Sequence, residues 1–117
     1  MISKIELVEI LRKNSVKEEI IEKIINKSIK CLLTRGKADN IEKILEILHK
    51  NNIKDEKISE CLIVLTYGKA DNIEKILEVL NKNRIKHEAI ENCLSVLARG
   101  KADNIEKIFE VLHKNNI

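Results

Sequence analysis

The fold that this sequence predicts is an all-α solenoid: about three helical hairpins of 32 residues each, preceded by one N-terminal capping helix. Three observations carry that expectation. The phrase Gly36–Glu46 recurs letter for letter as Gly68–Glu78, and again as Gly100–Glu110 with Phe109 the one difference, so the period is 32 residues. Apolar residues recur at three-to-four-residue spacing on both sides of each copy, the mark of amphipathic helices. The three glycines stand at the same place in successive repeats, where each can end the first helix of a hairpin. Units of this length cannot bury their apolar faces alone, and stacking on a neighbour supplies the core.

The chain, residues 1–117, is expected to be one domain. Residues 1–14 read as the capping helix, because Ile5, Val8 and Leu11, with Leu7 and Ile10 beside them, share a face. Superposing Leu11 on Leu48 brings Asn14 onto Asn51 and Val16 onto Ile53, so this helix is the second half of a repeat. Repeat 1 covers 15–52. Ser15 and Glu18 have capping-box spacing, which predicts one helix from about Val16 to about Thr34. Val16 to Gly36 spans 21 residues, against 16 from Ile53 to Gly68, so this first helix is longer than its counterparts, and Lys30 stands where they have Leu62 and Leu94.

Repeat 2 covers 53–84 and repeat 3 covers 85–117. Their first helices carry Ile58, Cys61, Leu62 and Leu65, then Ile90, Cys93, Leu94 and Leu97. Their second helices carry Ile73, Ile76, Leu77 and Leu80, then Ile105, Ile108, Phe109 and Leu112. Between the two helices of each hairpin, Gly36, Gly68 and Gly100 are expected in the left-handed conformation that ends a helix. Asp39, Asp71 and Asp103 are expected as N-caps of the second helix, with Glu42, Glu74 and Glu106 completing capping boxes. The last hairpin has no following repeat, so the Phe109, Val111 and Leu112 face is either partly exposed or pairs with another chain.

The formal net charge is +3, and its surplus is local. Residues 1–52 hold eleven Lys and Arg against eight Asp and Glu, whereas the two later repeats are balanced. This is well short of the basic footprint of a strong nucleic-acid binder. With one Tyr, one Phe and no Trp, the chain lacks the aromatic platform on which single-strand binders stack bases. An odd count of three cysteines on helical apolar positions argues against a disulfide framework and for buried thiols in a reducing, cytoplasmic setting. Neither a membrane span nor a signal or transit peptide is legible.

Chemistry-bearing clusters are sparse. No CxxC or Cys/His spacing suggests a metal, and His49 and His113 lie two repeats apart, so no metal or other cofactor is expected. Gly-Lys-Ala lacks the upstream glycine and following Ser or Thr of a phosphate-binding loop, and no nucleophile, base and orienting group are paired, so an enzyme is not expected. The best candidate site is the loop series Arg35-Gly36-Lys37, Tyr67-Gly68-Lys69 and Arg99-Gly100-Lys101. One loop per repeat places three basic loops on one edge, each at the amide-rich start of a helix where an anion is welcome. The competing reading is a solvated lysine beside a structural cap. A second basic row, with Arg12, Lys13, Lys17, Lys50, Lys54, Lys82, Arg84, Lys86 and Lys114, gathers at helix C-termini, where cations offset the helix dipole.

The run Asn83–Leu97, followed by a second helix ending Ile108-Phe109-Glu110-Val111-Leu112, resembles the helical repeats of the mitochondrial transcription termination factor (MTERF) family in its spacing and apolar pattern. The Gly100-Lys101 step that opens a second helix resembles the phosphate-contacting glycine-lysine step of transcription activator-like (TAL) effector repeats. Both resembling families bind nucleic acid, and three copies of one basic loop suit a ligand that itself repeats; Arg35, Lys37, Lys69, Arg99 and Lys101 are expected on phosphates and Tyr67 on a base or sugar. DNA or RNA is therefore the expected partner. The alternative is a protein partner held on the concave helix face, with self-association through the uncapped C-terminal repeat as a further expectation. A fragment of a longer array, or an engineered array, would carry the same signature.

Overall fold

The computed structural model describes residues 1–117, and it is all-helical. Ten helices follow one another: α1 (Lys4–Lys13), α2 (Glu18–Ile25), α3 (Lys30–Arg35), α4 (Ala38–Lys50), α5 (Asp55–Glu60), α6 (Ile63–Tyr67), α7 (Ala70–Lys82), α8 (His87–Glu91), α9 (Leu94–Arg99) and α10 (Ala102–Lys114). Along the chain α1 packs on α4, α4 on α7 and α7 on α10, while α3, α6 and α9 form a parallel row beside them. The result is elongated, 50 × 24 × 21 Å, and no helix is long and apolar enough to cross a membrane.

The long helices α4, α7 and α10 form where the repeated phrase predicts them, and their aliphatic stripe supplies much of the core. Ile41, Ile44, Leu48, Ile73 and Ile76 are wholly buried, each contributing about 1.5–3 kcal/mol by its removal from water. The first helix of each hairpin differs from expectation, because it is broken in two. In repeat 1 the break falls at Asn26–Ile29, and in the later repeats at Cys61-Leu62 and Asn92-Cys93. At the second break the physical cause is visible. The Ser59 carbonyl, which would accept from Ile63 in a continuous helix, accepts from the Lys27 ammonium of the preceding repeat. The Ser59 hydroxyl also donates to the Glu56 carbonyl at 2.6 Å, a local bond that competes with helix continuation. Cys61 leaves the helix at φ −133°, ψ 69°. The thiols correct another expectation: Cys31 and Cys93 are exposed and Cys61 is half-buried.

Helix ends also depart from the sequence reading. Ser15 caps nothing: it lies beyond the end of α1 at φ 63°, and α2 starts after Lys17. The capping box of α1 is instead Ser3 with Glu6, the Ser3 hydroxyl accepting from the Glu6 amide at 3.1 Å. Asp39, Asp71 and Asp103 lie inside the first turns of α4, α7 and α10, and the N-cap positions belong to Lys37, Lys69 and Lys101. The left-handed residues are Ser15, Asn52, Arg84 and Asn116, at the opposite turn, while Gly36, Gly68 and Gly100 are extended with φ near −70°. At that opposite turn the amide of Ile53 donates to the Leu48 carbonyl and that of Asn52 to His49, both at 2.9 Å, the Schellman arrangement for a helix end.

Glycine is required at the loop for space. The Gly68 amide donates to the Val64 carbonyl at 3.1 Å, and a Cβ there would lie 2.2 Å from that oxygen and 2.7 Å from Ile73 Cδ1. Ile5 is exposed, and Leu7, Ile10 and Leu11 form the buried face of α1, so the expected stripe of that helix is rotated.

Candidate nucleic-acid interface

Two devices set the glycine loops in a row. Asn40, in the first turn of α4, donates through Nδ2 to the Gly68 carbonyl at 2.9 Å and accepts through Oδ1 from the Ala70 amide at 3.3 Å. Asn72 repeats both bonds to Gly100 and Ala102, at 2.8 and 3.4 Å. One side chain thus satisfies the carbonyl and the amide that flank each lysine. The second device is a stack. The Arg35 guanidinium lies 5.7 Å from the centre of the Tyr67 ring, and the Arg99 guanidinium 5.5 Å from it. The residues before the three glycines therefore form an Arg–Tyr–Arg ladder, held by attraction between cation and ring.

Inside that edge, between the first turns of α4 and α7, runs a groove of about 590 Å³. Lys37, Lys43, Lys69 and Lys75 line it with Asp39, Asp71, Asn40 and Asn72. None of the six salt bridges of the structure involves these lysines, nor Arg35, Arg99 or Lys101. The charges here are four unpaired ammonium groups against two aspartates, at the positive ends of two 13-residue helices. Chemically this is a place for an extended anion, with donors on both walls and no nucleophile.

Of the residues singled out by sequence, Arg35, Tyr67 and Arg99 are brought together, and Lys37 and Lys69 share the groove. Lys101 stands one repeat further along, exposed at the start of α10. Sequence reasoning missed Lys43 and Lys75, which lie six residues after the loop lysines and so one face further round the helix. It also missed Asn40 and Asn72, although their recurrence at the same place in every repeat was a signal.

The opposite edge is chemically different. Arg12 forms a two-pronged bond with Glu18, at 2.7 and 3.2 Å, and this hydrogen bonding holds the Glu18 carboxyl below its ordinary pKa and raises that of Arg12. Lys13 meets Glu42 at 2.8 Å and is raised by the same kind of bond. His49 Nε2 lies 2.5 Å from Asp55. Arg12 and Lys13 of that basic row are thus matched, while its other seven cations form no salt bridge. Elsewhere, Glu91 is almost fully buried and accepts from the Lys54 amide at 2.9 Å, closing the start of α5 from the next repeat. No three His, Cys, Asp or Glu side chains converge on a point that could hold a metal ion.

Comparison with protein-family models, curated proteins and solved structures finds no match to this chain.

Proposed function

We propose that the protein is a non-enzymatic solenoid scaffold that binds the backbone of DNA or RNA along its glycine-loop edge. The observation that carries this reading is the groove of four unpaired lysines between the N-termini of α4 and α7, flanked by the Arg35–Tyr67–Arg99 ladder. Successive long helices stand about 10 Å apart, so a duplex lying along the edge, whose strand presents a phosphate about every 3.4 Å of helix axis, advances roughly three phosphates from one lysine pair to the next. The 50 Å length of the molecule matches roughly 15 such steps. Lys37, Lys43, Lys69, Lys75 and Lys101 supply point charges, and Arg35 and Arg99 supply planar donors suited to two-pronged phosphate contact. Tyr67 has the Arg35 and Arg99 guanidiniums 5.7 and 5.5 Å from its ring centre, so its part is to hold the two arginines, and its hydroxyl is offered to a sugar or base.

The test is a fluorescence-anisotropy titration with random single-stranded and double-stranded oligonucleotides, at low and near-physiological salt. Binding should weaken steeply with salt, and Lys43→Ala or Lys75→Ala should each lower the salt slope by about one. Absence of binding to both forms at low salt would sink the proposal and favour a protein ligand on the concave helix face.

A further inference from the structure

The contacts among the long helices form a series with one step open. The trailing face of α1 meets the leading face of α4, the trailing face of α4 meets α7, and that of α7 meets α10. On α4 and α7 the trailing faces are covered: Ile44 and Ile76 are wholly buried and Ile47 and Val79 half-buried, while Asn40 and Asn72 are hydrogen-bonded to the next loop. The residues in the same places on α10 are Ile108, Val111 and Asn104. Ile108 is 56% exposed and Val111 59%, and Asn104 is exposed without a partner. The side chains that make an interface twice inside the molecule are therefore presented a third time with nothing upon them.

The complement of a trailing face in this molecule is always a leading face, and α1 has a free one. Register places Ile5 at the position of Glu42, the residue through which α4 meets Lys13 of α1. Ile5 is 73% exposed, and with Val8, Glu9 and Arg12 it lines a shallow hollow of about 300 Å³ on the outer side of α1. Charge agrees with this direction. Lys13 is drawn by Glu42 and also by Glu46; Lys114 holds the place of Lys13 on α10, and Glu9 holds that of Glu46 on α1.

We propose that the trailing face of α10 docks the leading face of α1 from a second copy of this chain, head to tail. Ile108 and Val111 pack on Ile5 and Val8 of the other copy, and Lys114 pairs with its Glu9. Because α1 brings no glycine loop, Asn104 stays with solvent. The two joined surfaces differ, so the contact propagates into rods rather than closing as a two-fold dimer. The proposal is independent of the nucleic-acid reading, since it uses the two ends of the molecule and not the lysine edge.

Sedimentation equilibrium over micromolar to millimolar concentrations tests it, with two blocked variants, Ile5→Glu and the pair Ile108→Glu with Val111→Glu. The positions are exposed, and circular dichroism checks that the helices persist; Ile5→Lys serves as a second leading-face block. The average mass of the unmodified chain should rise with concentration, each variant alone should remain monomeric, and the two mixed should form a one-to-one complex that grows no further, because each retains one intact end. A monomeric unmodified chain at all concentrations overturns the proposal. So does association that survives Ile5→Glu, which would mean that α10 pairs with α10.

Discussion

Helices α7 and α10 differ at two of thirteen positions, Leu77 against Phe109 and Asn81 against His113, yet they live in different surroundings. Ile76 is wholly buried and its counterpart Ile108 is more than half exposed. Both segments are complete helices with the same boundaries in their repeats. The comparison separates two causes. Local pattern decides that a helix forms, and the following unit decides whether its stripe becomes core.

That contrast can be broken by paired substitutions. Ile76→Ala should cost about 2–5 kcal/mol, the usual loss for a buried aliphatic side chain, whereas Ile108→Ala should stay within about 0.5 kcal/mol of the unmodified chain. Urea unfolding at a concentration where the protein is monomeric compares them directly, and equal losses would refute the account of α10 as uncovered. The asparagine pair sharpens the same point at smaller scale. Asn72→Ala strands the Gly100 carbonyl and the Ala102 amide and should cost about 1–3 kcal/mol; Asn104→Ala, with no partner to strand, should be within about 0.5 kcal/mol of neutral.

Cys61 and Cys93 extend the comparison to the broken helices. Burial pushes the Cys61 thiol up from its ordinary value, while Cys93 is exposed. Timed alkylation followed by mass spectrometry should modify Cys93 and Cys31 well before Cys61. The smallest effect belongs to the exposed Arg12–Glu18 pair. Glu18 has a lowered pKa in the folded chain, so its contribution is present above the ordinary carboxylate range and is lost as pH falls through the folded value. Glu18→Gln should therefore narrow its small difference from the unmodified protein as the solution is acidified; a difference that widens in acid would contradict the sign.

What could be read from the sequence was what neighbours along the chain decide. The all-α class, the long helices α4, α7 and α10 and the shared placement of the three basic loops follow from the 32-residue period and its apolar stripes. What escaped was decided across repeats. Lys27 reaching the Ser59 carbonyl, Glu91 reaching the Lys54 amide and Asn40 reaching the Gly68 loop each join residues about one repeat apart, and no local propensity announces them. The glycines misled for a related reason. Their lack of a Cβ serves the close approach of the Leu32, Val64 and Val96 carbonyls, and the left-handed turns fell to Asn52 and Arg84, residues whose side chains do not advertise that role equally. At the candidate site the loop lysines were legible, but Lys43 and Lys75 join them only because two helix starts lie side by side across one groove.

The most direct test of the functional account is to map an oligonucleotide onto the backbone by two-dimensional NMR, titrating a random single strand into the isotopically labelled chain at low salt. The account predicts that amide shifts concentrate at Lys37–Lys43 and Lys69–Lys75, with weaker changes at Arg99–Lys101. Shifts gathered instead on Arg12, Lys50 and Lys82 at the opposite edge, or none at all, would contradict it.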